Sequence, residues 1–455
     1  MLSRHELLAK YNTSVPRYTS YPTVPFWNEL TPDLKWQQNF RENFLKQNKN
    51  GGISLYLHLP FCETLCTYCG CNKKITTNHS VEDDYIDTIL KEWQLYLQLM
   101  DEVPVIRELH LGGGTPTFFS PENLQRLIEG IFENAERHPD YEFGIEGHPN
   151  NTTEAHLKTL YHLGFRRISY GVQDHDPVVQ RAINRIQPVA NVRRATEKAR
   201  EIGFRSVNYD LIYGLPFQTL AGEEKTLEET IELKPDRIAF YSYAHVPWKS
   251  KAQRLFDEND LPSPELKTQL YLLAQKKFNE AGYSDIGMDH FALPHDDLFV
   301  AWKQGKLHRN FMGYTTTHTS FLLGLGVSSI SDTGTAYSQN HKELANYERL
   351  INEGKFASNK GCFLTPTDVA LKDYILQTAC KGKVNFREED KELIEELALP
   401  HLLEVAEDGL ISLNDNGFTV LETGRQYLRN ICQAFDQKWW QSNEKKAAQL
   451  FSKSV

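Results

Sequence analysis

The sequence is short of cysteine, with seven in 455 residues, and three of these, Cys362, Cys380 and Cys432, are scattered. An odd total with dispersed members is not a disulfide framework. The opening MLSRHELLAKYNTS lacks the apolar h-region of a secretory leader, so the chain is expected to be cytoplasmic. Cations are not in excess: 50 Lys and Arg stand against 60 Asp and Glu, a net charge of −10. Neutralising phosphates needs clustered positive charge, so no nucleic-acid partner is expected. Long apolar runs are missing too. The longest stretch without Asp, Glu, Lys or Arg, Asn310–Ser331, contains four Thr, four Ser and His318. It is too polar to span a membrane and is expected to form a buried wall. Repeats and low-complexity tracts are also absent.

What remains is an ordinary globular composition, 40% hydrophobic and 24% charged, long enough for two or three domains. From residue 53 to about 281, short β-rich runs alternate with amphipathic helical stretches. Strands are expected at Ile53–Leu59, Ile106–Leu111, Phe143–Glu146, Arg167–Gly171, Ser206–Ile212 and Arg237–Ser242, with helices starting near Val81, Pro121, Thr153, Val189, Thr219 and Pro264. Ser120-Pro121 supplies a cap with Pro at the first helical position, and Gly203 and Gly282 sit where helices should end. Six consecutive βα units fit either an open doubly wound sheet or a partial (β/α) barrel, and periodicity does not choose between them. Both collect ligands at strand C-termini. Cys62, Gly112-Gly113-Gly114-Thr115, Glu146, Gln173, Asp210 and Tyr243 lie at or near those ends. The glycine run there reads as backbone able to approach a ligand closely.

After about residue 365 the character changes. Helical runs are expected at Thr367–Ala379, Glu389–Leu397 and Pro400–Glu407, then a hairpin around Asn414–Gly417 and a final helix bearing Arg429–Cys432. This resembles a winged-helix module, and the acidic surroundings favour a packing or lid role over DNA reading.

The other four cysteines fall within ten residues, Cys62, Cys66, Cys69 and Cys71, directly after the first strand. A structural zinc site usually draws a second knuckle or distant His ligands, and no second CxxC or HxxxH follows. Three thiols on one loop at x3 and x2 spacing suit a [4Fe–4S] cluster with one iron left open. Zinc stays the competing reading of these residues.

The CxxxCxxC loop after a first strand resembles the radical S-adenosylmethionine enzymes, built on a partial (β/α)6 barrel. Tyr11-Asn12 with Val15–Thr23, Asp210–Pro216, Gly287–Phe291, His308–Tyr314 and Arg429–Asp436 narrow the resemblance to the oxygen-independent coproporphyrinogen III oxidases. That likeness implies three domains: a strap over the active site at residues 1–36, a catalytic domain at 37–365 with the barrel at about 53–281, and a mostly helical, winged-helix-like domain at 366–455. It assigns Cys62, Cys66 and Cys69 to a [4Fe–4S] cluster and leaves Cys71 unligated. Tyr56, Gly113, Glu146 and Ile330 would hold the S-adenosylmethionine on the cluster, while Tyr68, Gly114, Thr115, Gln173, Arg185, Asp210 and Ala244 would form a second S-adenosylmethionine site. The implied reaction is anaerobic decarboxylation of two propionates of coproporphyrinogen III to vinyl groups, giving protoporphyrinogen IX through a 5′-deoxyadenosyl radical. An external electron donor and acceptor are implied, and a monomer.

A tetrapyrrole with four propionates needs apolar walls and cations, and Arg17, Lys249, His290 and Arg309 lie in matching segments. The tyrosines of 11–23 suit a lid over a macrocycle, with a plain packing strap as the alternative. The chain departs from the family pattern at His148, Met312 and Ser320, and conservatively at Tyr68. A heme-binding chaperone of the same superfamily is the rival function. Such relatives generally lack the fourth cysteine and the N-terminal tyrosine segment, both of which this chain has.

Overall fold

The computed structural model describes residues 2–30, 34–247, 250–442 and 451. The chain forms two compact units, Asn28–Tyr283 with Thr319–Phe363, and Met1–Trp27 with Ser284–His318 and Leu364–Val455. These bounds differ from breaks at 36/37 and 365/366, because the segment at 284–318 folds with the two chain ends.

In the larger unit the six expected strands are β1 (Ile53–Leu59), β2 (Val105–Gly113), β3 (Glu136–Gly147), β4 (Arg167–Gln173), β5 (Ser206–Tyr213) and β6 (Arg237–Ser242). They neighbour one another in chain order and are all parallel, a partial (β/α)6 barrel. The helices α1 (Val81–Leu97), α2 (Pro121–Phe132), α3 (Glu154–His162), α4 (Val189–Ile202), α5 (Leu220–Leu233) and α6 (Pro264–Glu280) alternate with them. Four of the six starts, those of α2, α3, α5 and α6, follow from side-chain caps. The hydroxyls of Ser120, Thr153, Thr219 and Ser263 accept from the amides of Asn123, His156, Gly222 and Leu266. Gly203 ends α4 at φ 115°, a backbone shape that disfavours any side chain.

A seventh parallel strand, β7 (Leu322–Leu325), pairs with β1 on its outer side. Antiparallel strands β8 (Ile330–Asp332), β9 (Ala336–Asn340) and β10 (Ser358–Phe363) continue the sheet from there. The periodicity of six βα units gives no hint of this extension. Its strands are three to six residues long, and β7 is buried on both faces, so it has no alternation to read. The expected wall at 310–331 is mostly buried, yet it is divided between the two units after His318, and His318 and Ser320 are exposed.

In the smaller unit a capping box at Ser3 and Glu6 starts the helix Arg4–Tyr11. Tyr11, Tyr18 and Tyr21 are buried in one core with Leu371, Tyr374, Ile431 and Phe435. The helix Pro366–Lys381 and the hairpin Ile411–Asn414/Gly417–Val420 form as expected. The single helix expected at 389–397 does not. A 3-10 turn (Glu388–Asp390), one short α segment (Lys391–Leu393) and a π turn (Ile394–Ala398) replace it. Pro400 has no N–H for the Glu396 carbonyl and its ring crowds that oxygen, so the backbone widens just before the next helix, Leu399–Glu407.

Candidate functional site

The C-terminal ends of β1 to β6 open onto a cavity of about 520 Å³ that lies wholly within the larger unit. Its geometry starts with the loop after β1. Phe61-Cys62 pairs in parallel with Lys74-Ile75, and the Phe61 ring sinks among Tyr85, Phe118 and Phe119 at 5.4–5.7 Å. Further along, the Thr67 amide and hydroxyl donate to the carbonyls of Ile183 and Ala182 at 3.0 and 3.1 Å, and Asn184 Nδ2 donates to the Leu65 carbonyl at 2.8 Å. The loop is thereby tied to the turn that carries Arg185.

The end of β2 holds it from the other side. Gly114 N and Thr115 N donate to the carbonyls of Leu59 and Phe61 at 2.8 and 3.0 Å. A Cβ on Gly114 would lie 2.4 Å from the Pro60 carbonyl oxygen. The third glycine of the run is therefore required by close approach to the protein's own cysteine loop, and it also lines the cavity. Gly113 and Gly114 line the cavity, and a Cβ on Gly112 would meet Glu146 Oε1 and the Tyr56 ring at 3.0 Å.

Cys62, Cys66, Cys69 and Cys71 all border the cavity. Cys62 Sγ lies 3.3 Å from Thr115 Oγ1, and burial pushes its thiol up. A hydrogen bond from the Cys71 thiol, aided by Lys73, pulls Cys69 down to about 6 against the effect of burial. Among the described residues no three His, Cys, Asp or Glu side chains converge on one ion position. A tetrahedral mononuclear site needs such convergence. A [4Fe–4S] cluster takes one thiolate per iron, so its ligands need only ring a shared space, and Cys62, Cys66 and Cys69 meet that requirement.

Around the thiols stand the polar strand ends. Burial pushes Glu146 up, but His110, with Nε2 3.6 Å away, and the Gly113 amide at 3.2 Å outweigh it and leave the carboxyl below its usual range. Asp210 is pushed up to about 6 by burial and by the charge of Glu146, and it accepts from Asn208 Nδ2 at 2.9 Å and Ser169 Oγ at 3.1 Å. Arg185 donates through Nε and Nη2 to the Gly171 carbonyl at 3.1 and 2.6 Å, and its Nη1 reaches Cys66 Sγ at 3.6 Å. Gln173 sits at φ 69° in a bulge of β4, a conformation costly for a residue with a side chain and commonest at functional sites. His148 is held down to about 3 by burial and by Arg185, so it is neutral at pH 7.

Eight of the eleven expected cofactor residues therefore line one cavity: Tyr68, Gly113, Gly114, Thr115, Glu146, Gln173, Arg185 and Asp210. Tyr56 does not line it and stacks on His110, with ring centroids 6.2 Å apart. Ala244 is joined to Tyr68 by Gln253, whose amide donates to both carbonyls at 3.4 and 3.2 Å. Ile330 begins β8, where its carbonyl crowds Gly324, and does not line the cavity. Sequence reasoning missed Ser169, Asn150, Asn151 and Tyr241. Alternation was the available signal: on β4 and β5 every second residue, Arg167, Ser169 and Gly171 and then Asn208, Asp210 and Ile212, is half-buried in an otherwise buried strand.

Of the expected substrate cations, Arg17, His290 and Arg309 belong to the smaller unit, and Lys249 lies outside the described residues. There Arg309, 7% exposed, donates through Nη2 and Nε to the Arg17 carbonyl at 3.2 and 3.4 Å and lies over the Tyr314 ring at 4.9 Å. The His290 ring meets Tyr314 edge-on at 5.1 Å. Arg309 Nη1 is buried without a hydrogen-bond partner.

Residues 56–230 match the model of the Radical SAM superfamily. Curated relatives described as oxygen-independent coproporphyrinogen III oxidases include one from Helicobacter pylori, 39% identical over 95% of this chain and 96% of its own length, and one from Escherichia coli, 40% identical over 94% of each. A solved structure described as coproporphyrinogen III oxidase (HemN) from Escherichia coli, a radical SAM enzyme, superposes with a TM-score of 0.88 at 38% identity, covering 95% of this chain and 98% of that one.

Proposed function

The chain belongs to the oxygen-independent coproporphyrinogen III oxidases of the radical SAM superfamily, and from that premise we propose how its residues divide the work. It is a radical SAM oxidoreductase of heme biosynthesis that uses a [4Fe–4S] cluster and S-adenosylmethionine to oxidise coproporphyrinogen III. Two propionate side chains each lose the carboxyl carbon as carbon dioxide together with one hydrogen atom and one electron, and become the vinyl groups of protoporphyrinogen IX. The observation that carries this reading is the single cavity ringed by the thiols of Cys62, Cys66 and Cys69 and by the polar ends of the barrel strands. No observation favours a heme-binding chaperone.

Cys62, Cys66 and Cys69 hold the cluster, and Cys71 stays a neighbouring thiol. When bound, cluster and S-adenosylmethionine supply one-electron chemistry that no side chain can provide. Glu146, kept ionised by His110 and the Gly113 amide, suits an ammonium group and with Gly113 orients S-adenosylmethionine at the cluster, Tyr56 packing behind them, whereas Ile330, away from the cavity, is left without a contact. Tyr68, Gly114, Thr115, Gln173, Arg185, Asp210 and Ala244 form a second site for the same cofactor. There Asp210 accepts from hydroxyls and Arg185 meets a carboxylate. The unpartnered Arg309 Nη1 is a ready donor to one propionate, with Arg17, Lys249 and His290 serving the others. An external donor and acceptor handle the electrons, and the protein acts as a cytoplasmic monomer. Among the described residues no helix is long and apolar enough to cross a membrane. The test is anaerobic incubation with reductant, S-adenosylmethionine and coproporphyrinogen III, followed by chromatography of the oxidised porphyrins. Protoporphyrin is the expected product, and unaltered coproporphyrin would refute the reading.

A further inference from the structure

Gln180 does not line the strand-end cavity, yet it is bonded to the segments that carry two residues that do. It sits on the short helix Pro177–Ala182 after β4 and is only 5% exposed. Its Nε2 donates to the carbonyls of Asp174 and Gln187, each at 2.9 Å, and its Oε1 accepts from the Gln187 amide, also at 2.9 Å. Both N–H groups and the oxygen of the side-chain amide are thus committed to backbone. Its own main-chain carbonyl accepts from the Arg185 amide at 2.8 Å. Arg185 is therefore enclosed between two attachments to Gln180, and Asn184, left-handed at φ 51°, makes the turn that brings the chain back. The other end of the same amide acts on Gln173. Asp174, whose carbonyl it holds, directly follows Gln173 at the bulge of β4, where φ is 69°. The two cavity side chains meet over Gly171, where a Cβ would lie 2.6 Å from Gln173 Nε2 and 3.0 Å from Arg185 Nη2. None of these bonds involves β2 or β3, which carry Gly113 and Glu146.

Resting on the second-site reading given above, we infer that Gln180 is the positioning residue of the second S-adenosylmethionine site, fixing Gln173 against Arg185 and leaving the cofactor on the cluster untouched. Removing its amide strands three buried backbone groups, two carbonyls and one N–H, which must move to find new partners. A displacement of about 1 Å is enough to spoil a forked contact between Arg185 and a carboxylate.

The test is anaerobic equilibrium dialysis of labelled S-adenosylmethionine against the intact holoenzyme, with iron per chain and thermal midpoint measured on the same samples. Wild type should take up a second equivalent beyond the one on the cluster. Gln180→Leu should bind the first equivalent within about twofold of wild type and the second about tenfold more weakly or worse, with iron unchanged. Gln180→Glu keeps the shape and the acceptor but has at most one donor, so its second equivalent should fall between the two. If leucine costs the fold, the glutamate variant carries the same comparison. In Arg185→Lys, which already lacks the fork, adding Gln180→Leu should weaken the second equivalent by less than about threefold more. A second equivalent bound as in wild type, equal weakening of both equivalents, or full multiplication of the two losses would each overturn the positioning role. Uptake of a single equivalent by wild type would instead overturn the second-site reading. The denaturant midpoints would then still decide whether Gln180 holds Arg185, non-additive effects of Gln180→Leu and Arg185→Lys sustaining it and additive effects rejecting it.

Discussion

Glu92 on α1 is wholly buried, and none of its partners is a cation. Its Oε2 accepts from the Gly326 amide and the Tyr347 hydroxyl, each at 2.7 Å, and its Oε1 accepts from Asn340 Nδ2 at 2.6 Å. The carboxylate thereby fixes the turn at 326–329, which contains Gly326 at φ 99° and Ser328 at φ 60° and leads from β7 to Ile330. Burial pushes Glu92 from 4.5 up to about 7, and the three donors restrain a larger rise. Because the folded value is the higher one, the folded chain binds the extra proton between those limits. The stabilisation is complete below 4.5 and is lost as pH rises through 7. At 1.36 kcal/mol per unit, the whole span amounts to roughly 3 kcal/mol. Glu92→Gln removes the titration, so the stability of wild type relative to this variant should fall by about 3 kcal/mol between pH 4.5 and 8. Anaerobic denaturant unfolding followed by circular dichroism across that range measures it. The slope is the test, since loss of one acceptor adds only a constant offset. Tyr347→Phe, which deletes a donor to the ionised form, should move the loss to higher pH. Parallel pH profiles for wild type and Glu92→Gln would refute the argument.

Serine at Cys62, Cys66 or Cys69 should each abolish cluster assembly, whereas Cys71→Ser should keep iron and its broad visible absorbance; iron analysis decides, and the reverse pattern would overturn the ligand assignment. Gly114→Ala should cost ~1–3 kcal/mol by forcing Pro60 away and should lower iron per chain, read from thermal midpoints and iron content; no change in either would show that the loop tolerates the Cβ. Asp210→Ala should weaken S-adenosylmethionine binding by ~1–3 kcal/mol in equilibrium dialysis, and unchanged affinity and stoichiometry would remove it from the site. Arg309→Lys keeps the charge but not the planar fork, so the KM for coproporphyrinogen should rise while S-adenosylmethionine cleavage stays intact; an unchanged KM would detach Arg309 from substrate.

The barrel was legible because each βα unit carries its own local signal. The bounds of β1 and β6 coincide with the hydrophobic runs Ile53–Leu59 and Arg237–Ser242, and Ser120, Thr153 and Thr219 cap helices whose apolar spacing is already plain. The strand-end rule then gathers Cys62, Gly113, Glu146, Gln173 and Asp210 without knowledge of any distance. It fails where position depends on a long-range partner. Ile330 is placed by an antiparallel hairpin of strands only three and four residues long, and Gly114 by the Pro60 carbonyl, neither of which leaves a periodic trace. The tyrosines of the N-terminal segment are the sharpest case, since a ring with a polar tip suits a cavity lid and a protein core equally well. What decides is Asp408, which accepts from Tyr11 at 2.5 Å across 397 residues, and Asp436, which accepts from Tyr18 at 3.0 Å across 418. The buried Arg429 guanidinium donates to the carbonyls of Val15 and Pro16, and Asn430 to that of Tyr11. Deleting residues 1–23 would strip partners from a buried arginine, an asparagine and two aspartates and open the core of the smaller unit. Such a truncation reports on the folding of that unit before it can report on closure over a substrate.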